Sequence, residues 1–276
     1  MPEQRATVEP GPPKTDRSLH QIRPRRRAGV LAVVAVVAIT GVSAVSVAQA
    51  MRSSTTTDET FTLDPGSSML DVDVDRGQVL LTAGTDDRLQ VRRTVRVAGR
   101  APMVEEHADV NGANLRSRCP ALSGRACSIS YEIAVPPGYL IDVAANTARV
   151  EAHGLTVDKL QVEGSSGSTH LEDVKGAVEI NSGSGSITGT RLGLSEFIAH
   201  LGSGRISVDF TLSPERVTTT TGSGAVTLRL PAGDGPYRVA THSGSGEEDV
   251  QVPTDPASSR RIDVSSSSGD IHVLPR

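Results

Sequence analysis

The chain carries short runs of alternating apolar and polar residues on both sides of a recurring Gly-rich string. The string reads S-G-S-G or a close variant, and its second glycine serves as the reference position of each copy. The reference glycines are Gly167, Gly185, Gly204, Gly224, Gly246 and Gly269. Two degenerate copies, centred on Gly77 and Ala148, extend the series towards the N-terminus. The spacing of 18 to 23 residues between clear copies indicates an internal structural repeat.

Four columns are mainly apolar when the copies are aligned on this glycine. They lie seven and five positions before it and two and four positions after it. The first column is apolar in every copy: Leu70, Ile141, Leu160, Val178, Phe197, Val217, Val239 and Ile262. Alternation on both sides of a Gly-rich turn predicts a strand, a turn and a second strand with one buried face. Glu248 interrupts the column two positions after the glycine, which predicts a distorted unit there.

This pattern predicts an all-β domain over residues 59–276. We expect a single β-solenoid (β-helix), because stacked units require the same residue class at each aligned position. An antiparallel β-meander or sandwich is the alternative. Residues 82–139 interrupt the repeat, although alternation at Leu89–Val97 and Ile129–Val135 indicates strands within them. We interpret residues 82–139 as an irregular part that caps the N-terminal end of the repeat.

A stretch without charged residues precedes this domain. Residues 28–48 are long enough for a helix that crosses the roughly 30 Å hydrocarbon core, and an arginine run ends at Arg27. The positive-inside rule then predicts a single-pass cell-membrane protein with a cytoplasmic N-terminus and an extracellular C-terminal domain. Residues 1–27 form a disordered basic tail in this interpretation, and residues 49–58 form a linker. Ala48-Gln49-Ala50 resembles a signal-peptidase site, so cleavage after Ala50 is the alternative.

The composition narrows the possible functions. The chain has no Trp and only three Phe and three Tyr, so its core must consist of aliphatic residues. The net charge is −4, but residues 1–27 alone carry seven basic and three acidic residues, which leaves about −8 for the remainder. An acidic folded domain excludes nucleic acid as a partner.

The two cysteines, Cys119 and Cys127, are eight positions apart. In an extracellular domain this spacing predicts a disulfide that closes a small loop, whereas a reducing compartment would leave two free thiols. No further ligands stand at zinc-type spacing beside them, so we do not expect a metal site at the cysteines.

The run V-P-P-G-Y-L-I-D-V at residues 135–143, followed by successive S-G-x-I/V units, resembles the bacterial "putative adhesin" domain-of-unknown-function family. The related head GIN domains are similar. The resemblance covers roughly residues 60–276. It implies a β-helical domain that is anchored at, or exported across, the cytoplasmic membrane, and it implies no catalytic residues.

Several polar groups are candidate ligands. His200 and His242 share the position four before the glycine, but one intervening copy would separate them by about 9–10 Å, too far for one metal ion. We therefore interpret this position as an outward polar ladder of Glu163, Asn181, His200, Thr220, His242 and Ser265. Asp71, Asp73 and Asp75 alternate along one strand, but no calcium-binding loop frames them. The acidic run Glu247, Glu248 and Asp249 is a weaker candidate for a cation site.

No catalytic motif is evident. The G-S-G turns lack the context of a G-x-S-x-G nucleophile, and no phosphate-binding glycine motif occurs. We therefore expect a non-enzymatic structural, adhesion or envelope-sensing role, without cofactor or metal, and with an unidentified cell-envelope or protein partner. The alternatives are a β-helix enzyme that acts on envelope polysaccharide, recognisable by paired carboxylates in a cleft, and a signal transducer that acts through the cytoplasmic tail.

Overall fold

The computed structural model describes residues 54–121, 127–233 and 235–276. These residues form an all-β structure in which fifteen strands belong to one hydrogen-bonded system. The strands are β1 (Thr55–Leu63), β2 (Met69–Ala83), β3 (Leu89–Val97), β4 (Met103–Asp109), β5 (Gly112–Arg118), β6 (Cys127–Val135), β7 (Tyr139–His153), β8 (Thr156–Glu172), β9 (Lys175–Phe210), β10 (Arg216–Ser223), β11 (Val226–Leu230), β12 (Arg238–Ser243), β13 (Glu248–Val250), β14 (Arg261–Ser268) and β15 (Ile271–Pro275).

The predicted cytoplasmic tail and the predicted membrane helix at residues 28–48 lie outside the described residues. Within the part of the chain that the structure describes, no helix is both long and apolar enough to span a membrane. The predicted linker at 49–58 is too long at its C-terminal end, since β1 already begins at Thr55. The reason is that β-branched threonines favour a strand, and β1 pairs antiparallel with β3 along its whole length.

Successive repeat units pair in parallel and in register. Leu70 of β2 pairs with Ile141 of β7, which pairs with Leu160 of β8. Leu160 in turn pairs with Val178 of β9. These residues are the ones aligned seven positions before the reference glycine, so each predicted column is a row of neighbours across strands. Antiparallel pairing of consecutive units, as in a meander, is not the arrangement of these strands.

The four predicted columns form the core. In every unit except the one around Gly246, the residue at each of these positions is buried. Each buried Val, Leu or Ile side chain contributes about 1.5–3 kcal/mol relative to an exposed one. The aromatic residues Phe197 and Phe210 pack edge-to-face in this core, with ring centroids 5.9 Å apart. The stack is thus held by many small aliphatic contacts, as the composition requires.

The S-G-S-G string has a steric origin. A Cβ atom at Gly204 would lie 1.7 Å from the carbonyl oxygen of Gly185, and one at Gly224 would lie 1.7 Å from that of Gly204. The first glycine of the string is equally confined, since a Cβ at Gly202 would lie 2.4 Å from the oxygen of Gly183. Positive φ is found at the reference glycines 77, 185, 204, 224, 246 and 269. Both glycines therefore allow the corner of one unit to contact the backbone of the preceding unit.

The order of the last two units in the stack is the reverse of their order in the chain. Strands β14 and β15 lie between β10 and β11 on one side and β12 and β13 on the other. The unit around Gly246 is consequently the outermost one, although it precedes the last unit in the chain. This position explains the interrupted column, because Glu248 lies at the exposed end of the stack and accepts hydrogen bonds from the Thr241 hydroxyl (2.5 Å) and the Ser243 amide (2.6 Å).

Strands β1 and β3 to β6 cover the opposite end. The first half of β2 pairs in parallel with β5 and its second half in parallel with β6. Strand β5 forms a hairpin with β4, and β6 continues antiparallel into β3 and β1. Residues 82–139 are therefore more regular than predicted. Strand β3 lies at the predicted Leu89–Val97, whereas the β4–β5 hairpin was not predicted. Cys119 and Cys127 form a disulfide at this end, which joins the residue after β5 to the first residue of β6.

Candidate functional site

A cleft of about 400 Å³ lies where the β4–β5 hairpin stands beside the outward face of β2, β7 and β8. Side chains that point outward from these three strands form its floor, and the hairpin forms one wall. The floor and wall include Met69, Asp71, Leu140, Asp142, Lys159 and Gln161 from the sheet and His107, Asp109, Asn111 and Asn114 from the hairpin. The cleft thus combines acidic, amide and apolar groups.

Two carboxylates lie side by side in this cleft. Asp71 of β2 and Asp142 of β7 are register partners, so their backbones are about 4.8 Å apart. The amide of Asn114 donates a hydrogen bond of 3.1 Å to Asp71. The pKa of Asp142 is raised, first because the cleft removes part of its solvent and second because the charges of Asp71 and Glu163 are near. Its side chain still reaches solvent, so the electrostatic effect of its neighbours is screened.

The rim of the cleft is apolar on one side. Met69 is 52% exposed and Leu140 is 45% exposed, and these two residues are register partners on β2 and β7. Both point outward, where the repeat otherwise places polar residues. An apolar rim beside carboxylates and amides suits a ligand that has both apolar and polar surfaces.

A shallow groove lies beside the cleft and follows the stack. Asp73, Ala144 and Glu163 line its first part. The next part, of about 580 Å³, extends from Glu163 to Thr220. The groove follows the predicted polar ladder, of which Glu163, Asn181, His200 and Thr220 line one continuous depression. A further depression beside it includes Thr220, Ser265 and His242. The groove therefore presents about one polar side chain per unit.

The structure corrects the separation predicted for the two histidines of this ladder. Thr220 pairs with both His200 and Ser265, and Ser265 pairs with His242. Three strand spacings, about 14 Å, therefore separate His200 from His242. The predicted 9–10 Å was wrong because the last unit inserts between them. The conclusion that these two side chains do not share a metal ion is unaffected.

Each carboxylate of the Asp71, Asp73 and Asp75 series has its own partner. Arg118 forms two hydrogen bonds to Asp73, and the amide of Asn146 donates a 3.0 Å hydrogen bond to Asp75. The acidic run near Gly246 is similarly engaged: the side-chain amide of Gln251 donates to Asp249 at 2.8 Å. Among residues 54–121, 127–233 and 235–276, no three His, Cys, Asp or Glu side chains are arranged to hold a metal ion.

A partly buried network joins the antiparallel strands of the N-terminal end. Glu106 of β4 accepts hydrogen bonds from Arg93 of β3 (2.5 Å) and from the hydroxyl of Tyr131 of β6 (2.9 Å). Arg93 also pairs with Glu59 of β1. Burial raises the pKa of Tyr131, and the charge of Glu106 raises it further. The network attaches the hairpin to the neighbouring strands and thereby fixes the wall of the cleft.

A second polar cluster was missed by sequence analysis. Glu151 and His153 of β7 face His170 and Glu172 of β8, with Glu151 opposite His170 and His153 opposite Glu172. The two imidazole rings are 5.8 Å apart between centroids. Comparison of equivalent positions could not find this cluster, because His153 and His170 occupy different positions of the repeat. The signal was instead the alternation E-x-H in one copy and H-x-E in the next.

None of the curated proteins matches this chain. Among solved structures, a putative cell adhesion protein from Clostridium sporogenes and a putative adhesin from Bacteroides fragilis each share 13% identity with it, at a TM-score of 0.41. Both comparisons cover 80% of this chain, and they cover 100% and 97% of the respective neighbour. A putative adhesin from Parabacteroides distasonis has 12% identity and a TM-score of 0.34, over 79% of this chain and 97% of the neighbour.

The family comparison is more specific. The model of the Toastrack DUF4097 family matches residues 132–274, which include β7 to β14, all but the last residue of β15 and every clear copy of the repeat. The matched region covers more than half of the chain. In agreement with the resemblance noted from the sequence, the chain belongs to the Toastrack DUF4097 family.

Proposed function

We propose that this protein is a membrane-anchored, extracytoplasmic β-solenoid that binds a repetitive component of the cell envelope without catalysis. The observation that carries the proposal is the polar groove, which crosses successive units from Asp73 and Glu163 to Thr220. An extended polymer that lies along the stack would meet a similar set of groups at each unit.

The solenoid architecture is supported by the parallel register. Equivalent residues of successive units are direct partners, and the corner glycines contact the backbone of the preceding unit. A quasi-one-dimensional stack of this kind creates an extended surface whose length grows with the number of units. The membrane anchor is supported by the uncharged residues 28–48 and by the arginines before them. Removal of residues 1–50 by cleavage would release the domain instead.

The groove suits weak, repeated contacts. Its ladder contains a carboxylate, an amide, an imidazole and a hydroxyl, at Glu163, Asn181, His200 and Thr220. Each of these exposed groups would contribute little alone, because it must exchange hydrogen bonds with water for those with a ligand. Contacts linked along one polymer add to each other, so the combined affinity far exceeds that of one unit.

The test is co-sedimentation of the full chain, kept in detergent, with delipidated cell envelope from its native host, so that the proposed membrane anchor cannot itself carry the protein into the pellet. The double variant Asn181→Lys/Thr220→Lys would fill the groove with two long charged side chains. We expect its binding to the envelope to fall by about tenfold or more. Thr227→Lys is the matched control, because Thr227 lies outward on β11 and does not line the groove. Equal sedimentation of the wild type and the double variant would disprove binding at the groove.

A second candidate function is glycan hydrolysis, and the Asp71–Asp142 pair favours it. Asp71 and Asp142 are register partners, and the pKa of Asp142 is raised. A retaining glycosidase likewise needs two neighbouring carboxyl groups, one as nucleophile and one as acid. The test is release of reducing ends from envelope glycans by the wild type and by Asp142→Asn. Turnover that Asp142→Asn abolishes would establish an enzyme, whereas envelope binding without turnover supports the binding module.

A further inference from the structure

Exposed apolar side chains gather at the mouth of the cleft. Among the described residues, six large apolar side chains are exposed. Two of them, Met69 and Leu140, line the cleft. A third, Val110, is 79% exposed in the β4–β5 turn, between two residues that line the cleft. Single exposed apolar residues are common on protein surfaces, whereas a group of them around a concavity indicates a surface that another molecule covers.

The lining of the cleft forms two rows that cross the strands. The first row is polar and consists of register neighbours on β4, β5, β2, β7 and β8: His107, Asn114, Asp71, Asp142 and Gln161. The second row lies two residues earlier on β2 and β7 and is apolar there, at Met69 and Leu140. With strands about 4.8 Å apart, the polar row is about 19 Å long, and six residues of an extended peptide span about the same distance. The cleft is thus a slot with one polar and one apolar side.

The charge of this slot is unbalanced. Asp142 makes no hydrogen bond and no ion pair with any other described residue. Its pKa is raised by partial loss of solvent and by the charges of Asp71 and Glu163. Lys159 offsets this effect only in part, since its ammonium group lies 2.7 Å from Glu179. A positively charged ligand would compensate the excess of negative charge, whereas an anionic ligand would add to it.

We propose that the cleft binds an extended peptide segment of a partner protein, in which a lysine or arginine stands beside a large apolar side chain. The apolar side chain covers Met69 and Leu140, and the cation lies between Asp71 and Asp142. A neutral glycan would leave both the apolar row and the negative charge without a counterpart.

The amide groups of the slot suit a peptide backbone. Asn114 donates to Asp71, and Gln161 donates to Glu163, so each amide keeps an oxygen that can accept a hydrogen bond from a peptide N–H. The cleft shares no lining residue with the polar groove. Peptide binding in the cleft is therefore independent of polymer binding in the groove, and it gives the Asp71–Asp142 pair a role that requires no reaction.

The test is selection of random hexapeptides, displayed on phage, against the immobilised full chain in detergent. We expect enrichment of sequences that combine a basic residue with a large apolar one. The affinity of the most enriched peptide is then measured by fluorescence anisotropy. Asp142→Asn removes the charge at nearly constant shape, and we expect it to weaken binding by about tenfold. Leu140→Ser removes the apolar contact, and we expect a loss of about fivefold or more.

Two matched controls separate the cleft from general effects of charge and hydrophobicity. Asp263→Asn removes an outward aspartate of β14, and Leu212→Ser removes an exposed leucine, both outside the cleft. We expect both variants to bind the peptide like the wild type, and circular dichroism verifies that the strands of every variant are intact.

The groove variant Asn181→Lys/Thr220→Lys distinguishes the two sites. It leaves the cleft unchanged, so we expect it to bind the peptide with the affinity of the wild type even if it no longer binds the envelope. Loss of peptide binding in this variant would place the peptide in the groove and overturn the proposal. Absence of enrichment, enrichment of acidic sequences, or an affinity that Asp142→Asn and Leu140→Ser leave unchanged would overturn it as well.

Discussion

The two ends of the stack are protected in different ways. At the N-terminal end, β5 and β6 pair in parallel with β2 and are themselves flanked by antiparallel strands, and a partly buried network with a disulfide holds these strands. At the other end no further chain among the described residues covers β12 and β13, and the repeat itself changes there. The inward positions of the Gly246 unit carry Thr241, Ser243 and Glu248, which bond to each other. A repeat can thus be ended by added structure or by polar substitution within its own columns.

Glycine substitutions should have the largest effect and should separate the middle of the stack from its open end. Gly224→Ala places a Cβ 1.7 Å from the Gly204 oxygen at a φ of +138°, so we expect a loss of about 4 kcal/mol in unfolding free energy. In Gly246→Ala the added Cβ would lie 2.4 Å from the Gly269 oxygen. Because this outermost unit can shift outward, we expect about half that loss. Urea denaturation measures both. Equal losses would show that the open end is as rigid as the middle.

The network at the covered end should give the next largest effect. Glu106→Gln leaves Arg93 without its partly buried partner, and breaking such a pair typically costs about 3 kcal/mol. Glu105→Gln is the control, because the neighbouring Glu105 is exposed on the other face of β4. Thermal unfolding followed by circular dichroism is the measurement. If Glu106→Gln and Glu105→Gln both have the melting temperature of the wild type, the network does not stabilise this end.

One column offers a comparison of equivalent threonines. Thr219 is buried, and its hydroxyl has no hydrogen-bond partner among the described residues, whereas the hydroxyl of Thr241 in the outermost unit donates to Glu248. Thr219→Val removes a buried unsatisfied group, so we expect a gain of about 1 kcal/mol. Thr241→Val removes a satisfied one, and we expect a small loss. Chemical denaturation of both variants would reveal this difference in sign, and a loss at Thr219 would contradict it.

The smallest effect on stability, but a clear effect on association, is expected at Glu248. Glu248→Val restores the apolar column at the open end and removes a charge that discourages pairing with another chain. We expect almost unchanged unfolding and concentration-dependent self-association, detected by light scattering after size-exclusion chromatography. Glu247→Val, one position earlier in the loop, is the control. A variant that stays monomeric at high concentration would show that the charge is not what protects this end.

The repeat itself could be predicted because stacking imposes the same requirement on every unit. The columns that contain Leu70, Val72, Val79 and Leu81 were correct, and parallel neighbours occupy the predicted positions. The chain order of the last two units was not predictable from these columns, since Ile262 and Val239 fit the same row equally well. The one indication of this reversed order in the sequence was Glu248, because a charge in an apolar column is tolerated only at an end of the stack.

The hairpin and the cleft were predictable only in part. Asn111-Gly112 indicates a turn, although the two loop residues are Val110 and Asn111 and Gly112 already begins β5. The flanking strands are too polar for their alternation to be conspicuous. The cleft could not be predicted, because it depends on how this hairpin stands beside β7 and β8. The sequence places Asp71 in an acidic strand. Its partner Asp142 lies 71 positions later in the chain and becomes its neighbour only when the units stack.

The exchanged order of the last units affects the sequence of events during synthesis. Units up to Leu230 can each pair with a neighbour that has already emerged from the ribosome. The next unit, β12 and β13, finds its parallel partner only when β14 and β15 arrive after it. The amide of Arg276 then bonds to the carbonyl of Leu230 (2.7 Å). A chain that stopped before Arg261 would therefore leave two units without their interface, so this end of the stack forms only after β15 has been synthesised.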